Sequence, residues 1–168
     1  MQISTYYDEI DSPLGRILLF GDGEFLTGLY TLRHKNRPPI GDSWRRETRP
    51  FVKVREQLAE YFAGERQVFD VPLKLHGTPF QQQVWRELVR IQFGATSTYG
   101  ELARRLKRPT ASRAVGAANG QNPISIIVPC HRVIGSSGSL TGYAGGIDMK
   151  RELLQHERVG CPTLFHDV

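Results

Sequence analysis

Apolar and polar residues alternate in short runs over the first thirty positions: ISTYYDEI, then GRILLF, then EFLTGLY, separated by Asp11-Ser12-Pro13 and by Gly21-Asp22-Gly23. A period of two with turn residues between the runs predicts a meander of three antiparallel strands. The polar, basic and proline-containing segment RHKNRPPIGDSWRRETRP then reads as a loop. From Pro50 onward the period changes: Phe51, Val54, Leu58, Tyr61 and Phe62 fall on one helical face, and Gly64 follows as a stop. An amphipathic helix there can cover one face of the sheet.

A second change comes at Thr78-Pro79-Phe80-Gln81, where a cap residue, a proline at the first helical position and a glutamine three after the cap form a capping-box signature. Phe80, Val84, Leu88 and Ile91 mark the apolar stripe of the helix it opens. This divides the chain into an N-terminal α/β domain with its connecting segment over residues 1–77 and a second domain over residues 78–168. Two shorter helices follow the Phe93-Gly94 break. TYGELARRL stops at Lys107-Arg108-Pro109, and ASRAVGAANG, built of small residues, ends at Asn119-Gly120. Two short helices joined by a few turn residues are the pattern of a helix-turn-helix. Farther on, NPISIIVP reads as an extended buried strand, VIGSSGSLTGYAGGI as a glycine- and serine-rich loop pair, and MKRELLQHERV as a last helix capped by Asp148.

Charge strengthens the helix-turn-helix reading. Residues 1–77 hold 11 Lys/Arg against 11 Asp/Glu, and residues 78–168 hold 11 against 6, so the net charge of +5 lies wholly in the second half. Its densest stretch, ARRLKRPTASR from Ala103 to Arg113, carries five basic residues and no acid, and spans the two short helices. A solvated helix face would explain it. So would contact with phosphates, which supply most non-specific affinity for DNA, and the helix-turn-helix context favours the second. No apolar run reaches the roughly 18 residues of a membrane span, and the polar start MQISTYYDEIDS lacks the features of a signal peptide, so a cytoplasmic protein is expected. Two cysteines, Cys130 and Cys161, are too few for a disulfide framework, and no Cys/His pairs have zinc spacing; neither metal nor cofactor is implied.

Of the two cysteines, Cys130 carries the candidate chemistry. It lies in IIVPCHRV, after a β-branched run and directly before His131. A free cysteine is often an inert core residue, but its thiolate is the strongest side-chain nucleophile, and an imidazole can activate it. Neighbours at i and i+1 usually point apart, so His131 would need a sharp turn or a bridging water to act on Cys130. A base also needs an orienter. Glu157, beside His156 on the last helix, can reach back to complete a Cys-His-Glu arrangement, or can instead pair at the surface with Arg158 or Lys150.

Together, Asn122-Pro123, IIVPCHRVIG, GSLTGYAGG and the helix ending in LLQHE resemble the O6-alkylguanine-DNA alkyltransferase family, the methylated-DNA-protein-cysteine methyltransferases. Tyr99-Gly100-Glu101-Leu102-Ala103 and Arg113-Ala114-Val115-Gly116 are similar to that family's helix-turn-helix. The resemblance covers about Thr78 to Glu157; in the first half it is looser, in SPLG and YFAG. It implies an α+β fold: a three-stranded antiparallel, ribonuclease H-like sheet with a helix, followed by a mainly helical, winged-helix-like domain with the helix-turn-helix. It implies irreversible transfer of an alkyl group from O6-alkylguanine, and also O4-alkylthymine, to Cys130, with the base flipped out of double-stranded DNA bound through its minor groove. By the same resemblance His131 is the base acting through a water, Glu157 its orienter, Asn122 the brace beneath the thiol and Tyr99 the proton donor to the leaving guanine. Arg113 fills the gap left by the base, while Ala114, Gly116, Ala117, Asn119 and Gly120 line the groove-facing helix. The carbonyls of Val128 and Cys130 read the base's amino group, and Tyr143 and the backbone of Ala144 wall the flipped ring.

A protein that is a monomer in solution, with scope to cluster on DNA, is expected. The alternative function is non-enzymatic lesion binding by an alkyltransferase-like protein, which keeps the fold but replaces the cysteine; Cys130, His131 and Glu157 together argue against it. A cysteine hydrolase would instead show many turnovers on an acyl substrate. Cys161, in the polar tail, is expected to be dispensable.

Overall fold

The computed structural model describes residues 2–158. Its first half follows from turn chemistry. Gly15, at φ +92°, lets Ser12 and Gly15 exchange backbone hydrogen bonds of 3.0 and 2.9 Å, folding β1 (Tyr6–Ile10) antiparallel onto β2 (Ile17–Gly21). β3 (Leu26–Thr31) then pairs antiparallel with β2. The segment expected to be a loop contributes a fourth strand. β4 (Arg45–Arg46) lies parallel to β1, giving the order β3-β2-β1-β4. Two residues are too few for periodicity to reveal, and what holds them is partly charge: Asp8, buried in β1, takes Arg46 at 3.5 Å and Arg55 at 2.9 Å.

α1 (Val52–Phe62) packs Val54, Leu58 and Tyr61 inward, as its stripe predicts. These side chains join Ile17, Leu19 and Leu29 of the sheet and Val84, Trp85, Leu88, Leu102 and Val115 of the second half in one hydrophobic cluster. The two halves therefore share a core, and the sheet is a support for the second half.

Beyond the connecting segment, α2 (Pro79–Val89) opens with the full capping box between Thr78 and Gln81. A second box, Thr98 with Glu101, opens α3 (Tyr99–Arg105). α3 closes with Lys107 at φ +58° and a bond from the Arg108 N–H to the Ala103 carbonyl, and α4 (Ser112–Gly120) follows. α2 backs this pair: the buried indole of Trp85 donates to the Ala118 carbonyl at 2.8 Å.

Two expectations for the rest of the chain need correction. NPISIIVP is not a strand. It forms tight turns, with Ile126 at φ +72° and the Ile127 N–H donating to the Ser125 carbonyl at 2.8 Å. β-branched residues imitate a strand in sequence, but here Asn122 captures the backbone: its Oδ1 accepts from the Ile124 N–H at 3.0 Å and its Nδ2 donates to the Val128 carbonyl at 2.8 Å. A β-branched residue at positive φ costs of order 1–3 kcal/mol and survives only where its surroundings enforce it. The other correction concerns α5 (Ile147–Glu157), which is entered from Gly146 at φ +103° and has no side-chain cap; Asp148 instead pairs with Arg151 at 3.0 Å. A short parallel pair, β5 (Ser97–Thr98) with β6 (Val133–Ile134), ties the start of α3 to the segment after the cysteine. Among the described residues no helix is long and apolar enough to cross a membrane. Cys161 lies outside the described residues.

Candidate active site

Cys130 opens a single turn of 3-10 helix, Cys130–Arg132, entered from the strained turn through Pro129. This sharp entry lets three successive side chains serve one site. All three are buried, with the thiol 3% exposed and the His131 ring at 0%. Burial pushes the Cys130 thiol up, against smaller downward pulls from Asn122, Lys150 and Tyr143, so the sulfur is held protonated.

Glu157, the last residue of α5, is the buried hub. Its Oε1 accepts from the Tyr61 hydroxyl at 2.8 Å and from Arg132 Nη2 at 2.9 Å, and lies 2.6 Å from His131 Nε2; its Oε2 accepts from Arg132 Nε at 2.8 Å. The Arg132 guanidinium also donates to the Ile91 carbonyl at 2.6 Å. Burial alone would raise the Glu157 carboxyl, but the bonds and charges of His131 and Arg132 outweigh it and hold the group at about 2. A carboxylate can only accept, so His131 Nε2 carries the ring proton and Nδ1 is a bare acceptor. Nδ1 has no protein partner among the described residues. Burial lowers the His131 pKa against the upward pull of Glu157, and Arg132 already balances the carboxylate's charge, so the imidazole is neutral and free to take a proton.

The reach of Glu157 to His131 agrees with the sequence reading, and the surface alternative does not hold. Three members escaped that reading. Tyr61 carries a core residue's periodicity, Arg132 looks like one more basic residue, and Lys150 sits in a charged helix. Lys150 is fully buried: its ammonium donates to the Thr141 carbonyl at 3.1 Å and stands 5.9 Å from the centre of the Tyr99 ring, and burial brings it down to about 8. The only signal in the sequence is that Lys150 lies seven residues, two helical turns, before Glu157.

The other expected residues divide between surface and interior. Arg113, Ala114 and Ala117 are exposed along one face of α4, beside the exposed Arg104, Arg105, Lys107 and Arg108. Gly116 instead faces Tyr99, where an added Cβ would lie 3.7 Å from the ring. Asn119 points inward, 1% exposed, and donates to the Cys130 carbonyl at 3.3 Å; it braces the acceptor and does not face outward. Gly120 is half-buried at the helix end. Tyr99 is half-buried and donates to the Thr141 carbonyl at 3.0 Å; burial raises its pKa, which keeps the hydroxyl protonated.

Tyr143 is buried with its hydroxyl by Cys130, and Ala144 gives its carbonyl to the Lys35 N–H at 2.9 Å. The Val128 carbonyl is not available to read a base. It belongs to a residue with 0% exposure and already accepts from Asn122 and from the Cys130 N–H. No group of three or more His, Cys, Asp or Glu side chains able to hold a metal occurs among the described residues.

A thiol kept protonated and enclosed behind a basic helix-turn-helix suits a protein that uses its own sulfur as a reagent on DNA. The relatives define that class more narrowly. Residues 79–159 match the DNA binding domain of 6-O-methylguanine DNA methyltransferase, and residues 5–75 match its ribonuclease-like domain. A methylated-DNA-protein-cysteine methyltransferase of Mycobacterium tuberculosis is 51% identical over 163 residues, which cover 95% of this chain and 98% of that protein. One from Methanosarcina acetivorans is 51% identical over 152 residues, covering 90% and 97%. The crystal structure of Mycobacterium tuberculosis OGT in complex with DNA superposes with a TM-score of 0.87 at 50% identity, covering 95% of this chain and 96% of that one. The chain belongs to the 6-O-methylguanine DNA methyltransferase family.

Proposed function

We propose that this protein repairs DNA by moving the alkyl group of O6-alkylguanine, and of O4-alkylthymine, onto Cys130, once per molecule. The observation that carries the reading is the lone pair of His131 Nδ1, buried without a protein partner among the described residues, on the residue that directly follows a buried, protonated thiol, while Glu157 fixes the proton on Nε2. When the flipped base arrives, the thiol proton passes through one water to Nδ1, and the sulfur attacks the alkyl carbon. The S–C bond forms as the C–O bond breaks, and the released electron pair stays on the guanine. The Tyr99 hydroxyl turns from the Thr141 carbonyl to donate a proton to the purine edge. Attack at saturated carbon creates no tetrahedral oxyanion, so no oxyanion hole is required. The thioether product does not hydrolyse, which makes the reaction stoichiometric. It also requires a reduced thiol, as a cytoplasmic setting provides.

Base delivery falls to α4. Its exposed small residues allow close approach in the narrow minor groove, and Arg113 fills the stack where the base has left. The basic residues between α3 and α4 meet phosphates, and binding as a monomer is sufficient for the chemistry. Because Arg113 offsets an unstacking cost of a few kcal/mol, Arg113→Ala is expected to slow transfer from a duplex by about a hundredfold. Single-turnover transfer from labelled O6-methylguanine DNA measures this, and a rate equal to wild type would exclude the role.

The pH profile tests the relay. A base must be neutral to accept a proton, and burial shifts His131 below its ordinary 6.5, so transfer holds its rate as pH falls through that value and declines only in more acid solution. A profile half-lost at or above pH 6.5 would contradict a buried neutral base. Stability changes with the same sign. The depressed Glu157 carboxyl contributes stability that is complete above its ordinary 4.5 and is lost as pH falls toward about 2.

A further inference from the structure

The first half of the chain holds three separate pieces of the site from one edge. The outer edge of β3 pairs with the turn beneath the thiol: the Leu29 N–H donates to the Pro123 carbonyl at 2.9 Å, and the Ser125 N–H to the Leu29 carbonyl at 3.1 Å. Just past β3 the chain folds into two successive turns, with the His34 N–H on the Thr31 carbonyl and the Arg37 N–H on the His34 carbonyl, both at 3.1 Å. From these turns the Lys35 N–H reaches the Ala144 carbonyl at 2.9 Å, and the Asn36 side-chain amide reaches the Gly120 carbonyl at 3.0 Å. Ala144 belongs to the expected wall of the base pocket, and Gly120 ends α4.

The turns are built to be rigid. His34 is 7% exposed, lies edge-on to Tyr30 at 4.9 Å, and accepts the Asn36 N–H on Nδ1 at 3.0 Å. Burial brings this imidazole down to about 4, so Nδ1 remains an acceptor at neutral pH. Arg37, 4.0 Å from Glu9, ties the far end back to β1. The Gly120 carbonyl is one of the C-terminal acceptors that a helix cannot satisfy internally, and Asn36 supplies its donor from 84 residues away.

We infer that Asn36 is a positioning residue for base delivery: by tying the end of α4 to the same turns that hold the pocket wall at Ala144, it fixes the distance between the Arg113 face and the thiol. The inference rests on the proposed alkyl transfer. It concerns no reacting atom, so it predicts a defect that appears only when DNA must present the base. A misplacement of about 1 Å can cost about a hundredfold in rate; losing one tie among several is expected to cost about tenfold.

The test compares wild type, Asn36→Ala and Asn36→Asp, the last placing a carboxylate against the Gly120 carbonyl. Two rates are measured: methylation of Cys130 at saturating O6-methylguanine duplex, and alkylation of Cys130 by iodoacetamide without DNA, read on the Cys130 peptide. Both variants should methylate about tenfold more slowly, with Asp at least as slow as Ala, while iodoacetamide labelling stays at the wild-type rate. Methylation of Asn36→Ala at the wild-type rate would overturn the inference. So would an equal fall in both reactions, which marks a merely structural residue. Failure of the wild-type protein to take methyl from DNA would instead overturn the proposed function, so the two failures are distinguishable.

Discussion

Glu157→Gln is expected to slow alkyl transfer by about a hundredfold or more, the scale of losing a positioned general base. The amide keeps the size of the carboxylate, and its one oxygen at the Oε1 position can still accept from His131 Nε2, Tyr61 and Arg132 Nη2, but its NH2 then faces the donating Arg132 Nε. The negative charge that draws a proton onto the imidazole is lost, so His131 becomes a weaker base, although every heavy atom stays close to its place. The same change leaves the buried Arg132 cation without its counter-charge, and breaking such a pair costs about 3–5 kcal/mol. Thermal unfolding should therefore show a lower midpoint for the variant. Kinetics at a temperature where it remains folded should show the rate loss with duplex affinity unchanged, since the side-chain hydrogen bonds of Glu157 go to Tyr61, His131 and Arg132 and not to the α4 face. A variant that transfers at the wild-type rate would remove Glu157 and His131 from the chemistry.

Cys130→Ser is the larger effect: transfer should fall below detection. A hydroxyl has nearly the shape of the thiol, so the 3-10 turn and the Asn119 and Asn122 braces, which hold backbone carbonyls, remain. Serine is a far weaker nucleophile at its ordinary pKa, and the relay evolves no charge-stabilising hole to compensate. The variant should bind O6-methylguanine duplex as wild type does and hold it without reaction. It would thus display as an engineered property the lesion binding that was the alternative reading of the sequence.

Much of this was legible in the chain. Period two gave three strands, period 3.6 gave α1 and α2, and the Thr78 and Gln81 spacing set the start of α2 to the residue. The pairing of His131 with Glu157, 26 residues apart, was reachable because a base needs an orienter and few candidates existed. What stayed hidden were positions whose role depends on tertiary neighbours. Tyr61 and Arg132 reach Glu157 from a helix of the first half and from the cysteine's own turn. Asn119, on a helix of small residues, reads as groove-facing until α2 and the Cys130 turn define which side is inward. The Ile-Ile-Val run failed as a strand because Asn122 hydrogen-bonds within its own turn, a local competition that propensity does not record. β4 was missed because its two arginines answer to a buried Asp8 and to the edge of β1.

The buried thiol beside a locked histidine is most directly tested by the mass of the intact protein after incubation with excess O6-methylguanine duplex. The expected product has one methyl replacing one hydrogen, located on the Cys130 peptide, with repaired guanine equal in amount to protein and no further reaction on adding fresh DNA. Repaired guanine in excess of protein, a methyl on any other residue, or repair by Cys130→Ser would contradict it.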